Sequence, residues 1–275
     1  MEKNMKKLVF LLLIFVLACI IVVFSKFQYD KKLEQAVKEA KVELTKIKEI
    51  QERNTPELIE RRNYLKTLVA HKDPQLTDLV FEALYTGDEI NIVAMGSAAL
   101  SAKNNVNPWP ELLKEKINEV FEEKIVDVKI FSYEEENTFE IIRNNYHLEV
   151  AEFQPDILIL EPFIWNNIGY VRILDTLNHI SIMIRAVERG NENTVIILQP
   201  PNPIYKERAI DFQVDAVKSY AAEHELLYFD HWKVWPDQND VELNRFLTNN
   251  HTPNQDGHSI WADYISSYFV KESHY

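Results

Sequence analysis

Beyond residue 87 the chain alternates short, predominantly apolar runs with longer segments in which apolar positions recur every three or four residues. The runs are residues 90–95, 126–131, 157–162, 195–198 and 226–229, and each reads as a buried strand. Between them lie amphipathic segments at residues 110–122, 138–152, 171–189 and 206–224, and a last helix is expected over residues 258–270. Regular alternation of continuously apolar strands with amphipathic helices predicts a five-stranded parallel sheet covered on both faces, an α/β fold of three layers. Ligands of such sheets bind beyond the carboxyl ends of the strands, so chemistry is expected in the residues that follow each strand.

The first 86 residues have a different texture. Residues 8–24 carry no charge and follow Lys3, Lys6 and Lys7. That run is long enough for a membrane-spanning helix, and the lysines before it predict an inside N-terminus with everything after Lys26 on the outer side. A cleaved signal peptide competes, including a lipoprotein signal ending at Ala18-Cys19. Against it, the apolar run continues through residues 20–24 and no small-x-small site follows. Residues 30–51 place Leu33, Val37, Ala40, Leu44 and Ile47 on a heptad stripe. This segment is either a stalk that pairs with another copy or a single helix laid on its own domain. Asn54-Thr55-Pro56 starts a second helix ending near His71, and Asp73-Pro74 a third that runs to the Thr86-Gly87 turn. The expected division is an anchor over residues 1–26, a helical neck over 27–86 and an α/β domain over 87–275.

Composition narrows the function. A formal charge of -13 and the absence of any basic cluster after the N-terminus exclude a nucleic-acid partner. Cys19 is the single cysteine and lies in the apolar run, so disulfide scaffolds, cysteine zinc sites and cysteine nucleophiles are excluded. Glu134-Glu135-Glu136 reads as a solvated turn rather than a metal site, and Asp230-His231 lacks further ligands at zinc spacing. No phosphate-binding glycine loop is present, and no cofactor is expected. Trp165, Trp232 and Trp235 follow strands, where they either stack on a sugar ring or close the core edge.

Three strand-end segments carry candidate chemistry: Gly96-Ser97 after the first strand, Glu161 through Asn166-Asn167 after the third, and Asn249-Asn250-His251-Thr252-Pro253-Asn254 before the last helix. A serine, an amide donor and a histidine at strand ends are the parts of an acyl-transfer site. The histidine takes the serine proton, the serine attacks a carbonyl, and Asn166 with the backbone near Gly96 holds the oxyanion. Gly96 would let substrate approach the backbone.

These blocks, in this order over about residues 89–269, resemble the SGNH/GDSL hydrolases. Residues 92–96 look like the strand entering the family's first block, and Trp109-Pro110-Glu111-Leu112-Leu113 like the helix after it. Pro155-Asp156 through Asn166-Asn167 resembles the third block, and Pro253-Asn254 with Gly257-His258 and Trp261-Ala262 the fifth. The resemblance implies a flavodoxin-like sheet and esterase or acetyl-group chemistry, with Ser97 as nucleophile, His251 as base and Asn166 and Gly96 as oxyanion donors. It also aligns Ala98 with the family's serine and Thr252 with its histidine, leaves no glycine after the second strand, and puts Asn167 where aspartate follows the asparagine. His258 reads as part of the final helix start. Two functions follow: an anchored, outward-facing hydrolase of a small ester or O-acylated envelope glycan, or a catalytically inactive relative that binds a glycan or serves envelope assembly.

Overall fold

The computed structural model describes residues 55–101 and 106–271, with residues 26, 31–33, 38 and 41 before them. The apolar run of residues 8–24 and all but Leu33 of the heptad positions lie outside the described residues. Among the described residues no helix is long and apolar enough to cross a membrane.

Two helices, α1 (Pro56–Leu68) and α2 (Pro74–Thr86), precede β1 (Ile90–Gly96). There follow α3 (Trp109–Phe121), β2 (Val126–Ser132), α4 (Thr138–Arg143), α5 (Tyr146–Glu152) and β3 (Ile157–Leu160). The chain continues through α6 (Ile164–Asn167), α7 (Ile173–Gly190), β4 (Val195–Leu198), α8 (Asp211–Glu223), β5 (Leu227–Tyr228) and α9 (Gln255–Ser266). All strand pairs are parallel, in the order β2-β1-β3-β4-β5. This is the flavodoxin-like order, with its topological switch between β1 and β3.

Alternation along each strand explains the three layers. Ile90, Ile92 and Ala94 of β1, Ile157 and Ile159 of β3, and Val195 and Ile197 of β4 face one core, shared with Leu113 and Ile117 of α3 and Ile265 of α9. Val93 and Met95, Leu158 and Leu160, and Ile196 and Leu198 face the other, shared with Ile180 and Met183 of α7 and Val217 of α8. A strand buried on both faces has no polar position to spare, which is why β3, β4 and β1 from Ile92 to Met95 read as apolar runs.

The expected neck is divided differently. The compact unit containing the sheet begins at Arg62, so α2 and the end of α1 belong to the α/β domain. Leu65, Leu76, Val80 and Leu84 join the first core, Val69 bridges Val270, and the Ala70 N–H donates to the Phe269 carbonyl. Asp73 caps α2 by accepting from the Leu76 N–H at 3.0 Å, and Gly87 ends it in the left-handed region. The single helix expected over 138–152 is two, broken where Asn145 takes φ 60°, a conformation asparagine tolerates. The last helix begins earlier than expected because Asn254 accepts from the Gly257 N–H at 3.1 Å and so caps it at Gln255.

Candidate functional site

β1 and β3 deliver their carboxyl ends side by side at the switch point, and one side chain ties them together. Glu161, the residue after β3, is fully buried. Its Oε2 accepts from the Ser97 N–H at 2.8 Å, and the Ser97 hydroxyl also faces this carboxyl. Burial pushes the Glu161 carboxyl above its ordinary pKa, against the opposing pull of the Ser97 hydroxyl and N–H and the backbone at Ile164 and Phe163. Its Oε1 has no hydrogen-bond partner.

This arrangement sets the fate of the two residues expected at the end of β1. A Cβ on Gly96 would lie 2.9 Å from Glu161 Cβ and 3.0 Å from Glu161 Oε2. What approaches the Gly96 backbone is therefore the Glu161 side chain, which occupies the room expected for substrate. Ser97 is 4 % exposed and held inward: its carbonyl accepts from Ser132 Oγ at 3.0 Å while its N–H binds Glu161. Ala98, half-buried, is the residue that reaches the adjoining cleft.

With Ala98, the cleft is lined by Ser101, Val106, Thr248, Thr252, Pro253 and His258. Thr248 and Thr252 hydrogen-bond through their hydroxyls at 2.9 Å, and Leu247 bridges Pro253, which closes this loop on itself. His251 stands outside that wall. It is exposed, sits at φ 61° and is fixed by its backbone, whose N–H donates to the Thr248 carbonyl and whose carbonyl accepts from Asn202 Nδ2 at 2.9 Å. No hydrogen bond joins Ser97 to His251 among the described residues: Ser97 is buried at the end of β1, and His251 is exposed.

Asn166 serves a different purpose from the one expected. Its Nδ2 donates to the carbonyls of Glu134, at 3.0 Å, and Glu136, at 2.8 Å. An amide has two N–H bonds, and both hold the loop after β2, leaving none for an oxyanion. Its neighbour Asn167, 2 % exposed, accepts from the Thr138 N–H and hydroxyl and donates to Thr176 Oγ1, knitting α4 to α7.

Two groups that sequence reasoning passed over are prominent here. Glu161 was legible only as the first residue of a loop. His258 does lie at the start of α9, as expected, but it shares the buried face of Trp261, Ala262 and Ile265 and lines the cleft. That spacing of three, four and seven was the available signal. Burial pushes the His258 imidazole down to about 4. By contrast His231, which follows β5, does not line the cleft. It is fully buried, stacks on Trp261 at 3.9 Å between ring centroids and is pushed down to about 3 by desolvation. Trp235 closes the core edge, its Nε1 donating to His231 Nδ1, whereas Trp165 and Trp232 donate to the carbonyls of Asn202 and Pro201 and pin the 200–203 loop. Among the described residues no group of three or more His, Cys, Asp or Glu side chains stands where it could hold a metal ion.

No protein-family model matches this sequence, and no curated protein matches it. Solved structures do. A G-D-S-L family protein from Desulfitobacterium hafniense is 20% identical at a TM-score of 0.55, the match covering 66% of this chain and 99% of that one. A lipase/acylhydrolase from Enterococcus faecalis is 18% identical at a TM-score of 0.53, covering 64% and 93%. A carbohydrate esterase of family 3 from Talaromyces cellulolyticus is 16% identical at 0.52, covering 64% and 94%. At these identities the likeness establishes the fold.

Proposed function

We propose that this chain, which carries the fold of the SGNH/GDSL hydrolases, is a ligand-binding module whose strand-end cleft no longer performs acyl transfer. One observation carries the reading: the residue after β1 that lines the cleft is Ala98, together with Thr252, while Ser97 is 4 % exposed and its N–H is held by Glu161. A methyl group opposite a threonine offers neither a nucleophile nor a base. The esterase names of the fold neighbours support an acylated glycan or small ester as the kind of molecule the cleft holds. The basic N-terminus followed by the apolar run of residues 8–24 supports display on the outer face of a membrane.

A second reading, ester hydrolysis with Ser97 as nucleophile, His251 as base and Asn166 and Gly96 as oxyanion donors, is favoured by the position of Ser97 at the end of β1. It requires the Ser97 hydroxyl to leave Glu161 and the loop over residues 248–252 to refold. Hydrolysis of a chromogenic acetyl ester by the full chain separates the two. The binding reading expects the buffer rate for wild type, Ser97→Ala and His251→Ala alike, and expects Ala98→Ser combined with Thr252→His to raise it. A wild-type rate above buffer that falls in Ser97→Ala overturns it.

A further inference from the structure

We infer that His258 makes the cleft a receptor for an oxygen acceptor, the carboxylate or acyl carbonyl of a ligand, by presenting its Nε2–H between Ala98 and the Thr252 hydroxyl. This rests on the reading of the cleft as a binding site.

The argument begins at the other ring nitrogen. Trp109 opens α3, so its backbone N–H is one of the donors that a helix start leaves without an intrahelical partner. That N–H points at His258 Nδ1 at 3.2 Å. A donor facing Nδ1 requires a lone pair there, which places the single proton of the neutral ring on Nε2. Protonating Nδ1 would set one N–H against another, and burial of the ring opposes the charge as well.

Nε2 is the nitrogen left for the cleft. His258 is 2 % exposed, yet Nε2 is not among the enclosed polar atoms that lack a partner, and the ring forms part of the cleft wall. A ring locked in this tautomer has no lone pair at Nε2, so it cannot take a proton from a hydroxyl; it can only donate. The Thr248 and Thr252 hydroxyls share one hydrogen bond, which leaves a second hydroxyl hydrogen beside it. Ala98 and Pro253 supply apolar walls. The enclosed space is about 20 Å³, room for one water-sized group. A sugar ring does not enter it, whereas the oxygen end of a carboxylate or acyl group does.

The test uses the full chain labelled uniformly with ¹⁵N. Long-range proton–nitrogen spectra are expected to show His258 as the Nε2–H tautomer, with an Nε2 resonance that moves saturably on titration with sodium acetate and not with sodium chloride. Methyl acetate, an acceptor without charge, separates a carbonyl ligand from a carboxylate. His258→Asn keeps an acceptor for the Trp109 N–H but does not reach the cleft, and the saturable shifts of the Ala98 and Thr252 amides are expected to need about tenfold more acetate, the loss of one hydrogen bond. Thr252→Val, which leaves the imidazole in place, should weaken the response by a smaller factor and serves if His258→Asn fails to fold. An Nδ1–H tautomer, or shifts that do not saturate with either probe, overturns the inference. Ester hydrolysis by the same sample would refute the non-catalytic reading alone, because tautomer and acetate shifts are read without turnover.

Discussion

Gly96→Ala tests whether Glu161 is what makes the end of β1 a glycine. The added methyl lies 2.9 Å from Glu161 Cβ, 2.9 Å from Leu100 Cδ1 and 3.0 Å from Glu161 Oε2. Leu100 Cδ1 is the end of a flexible side chain and can yield; Glu161 Cβ is fixed to the backbone of the residue leaving β3 and cannot. Overpacking of this kind costs about 1–3 kcal/mol. Displacing Glu161 also loosens the Ser97 N–H contact to Oε2, a bond to an ionisable group worth about 1.5–3 kcal/mol when fully lost. A partial loss of the second added to the first gives about 3 kcal/mol, or a fall in Tm of about 6–12 °C for a domain of this size. Urea unfolding of wild type, Gly96→Ala, Glu161→Gly and the double variant measures it. Removing the Glu161 side chain with its Cβ opens the space, so Gly96→Ala should cost less than about 1 kcal/mol in that background, a coupling of about 2 kcal/mol. Equal costs in both backgrounds, within about 0.5 kcal/mol, would refute the reasoning.

Two further outcomes follow from the same site. Because the folded pKa of Glu161 lies above its unfolded value, the native state holds this proton more tightly, so the carboxyl's contribution is present at acid pH and is lost as pH rises from the ordinary carboxylate range through the raised value. Glu161→Gln keeps an acceptor for Ser97 and should be more stable than wild type at pH 7 and indistinguishable at pH 4 in urea titrations; a less stable variant at pH 7 would contradict the assigned burial. Asn166→Ala should cost about 1–3 kcal/mol through the loss of two hydrogen bonds and speed hydrogen exchange in residues 134–136, whose carbonyls it holds. Unchanged exchange there would show that Asn166 does not brace the loop.

The sheet was legible because β3, β4 and β1 from Ile92 onward are buried on both faces, and burial on both faces writes itself into sequence as an apolar run. Helix starts with their own chemistry were legible for the same local reason: Asp73-Pro74 opens α2 where expected. The site was less legible because its assignments depend on contacts between residues far apart in sequence. Glu161 meets Ser97 across 64 positions, and Asn166 meets Glu136 across 30. Nothing in the local pattern says whether a polar residue after a strand faces solvent or another strand end. Nor does it say which of Ser97 and Ala98 turns outward, since one step along an extended chain reverses the side chain's face. For His258 a local signal did exist, its spacing to Trp261, Ala262 and Ile265 on the buried face of the last helix, but reading it only as part of the helix start left that signal unused.

A buried carboxyl with one unpartnered oxygen is a destabilising choice for a strand end, and its place at the topological switch gives that choice a consequence. Glu161 holds the Ser97 N–H, and the residue of this turn that lines the cleft with Thr252 and His258 is Ala98. Were Glu161 apolar, the Ser97 hydroxyl would lose its buried partner, and turning toward the cleft would become its cheapest way to find water. Glu161 therefore does two things with one side chain: it fills the space above Gly96 that a substrate backbone contact would need, and it withdraws the only hydroxyl at the end of β1. Both accord with the proposed binding role of the cleft, whose wall holds Ala98, Thr252 and His258.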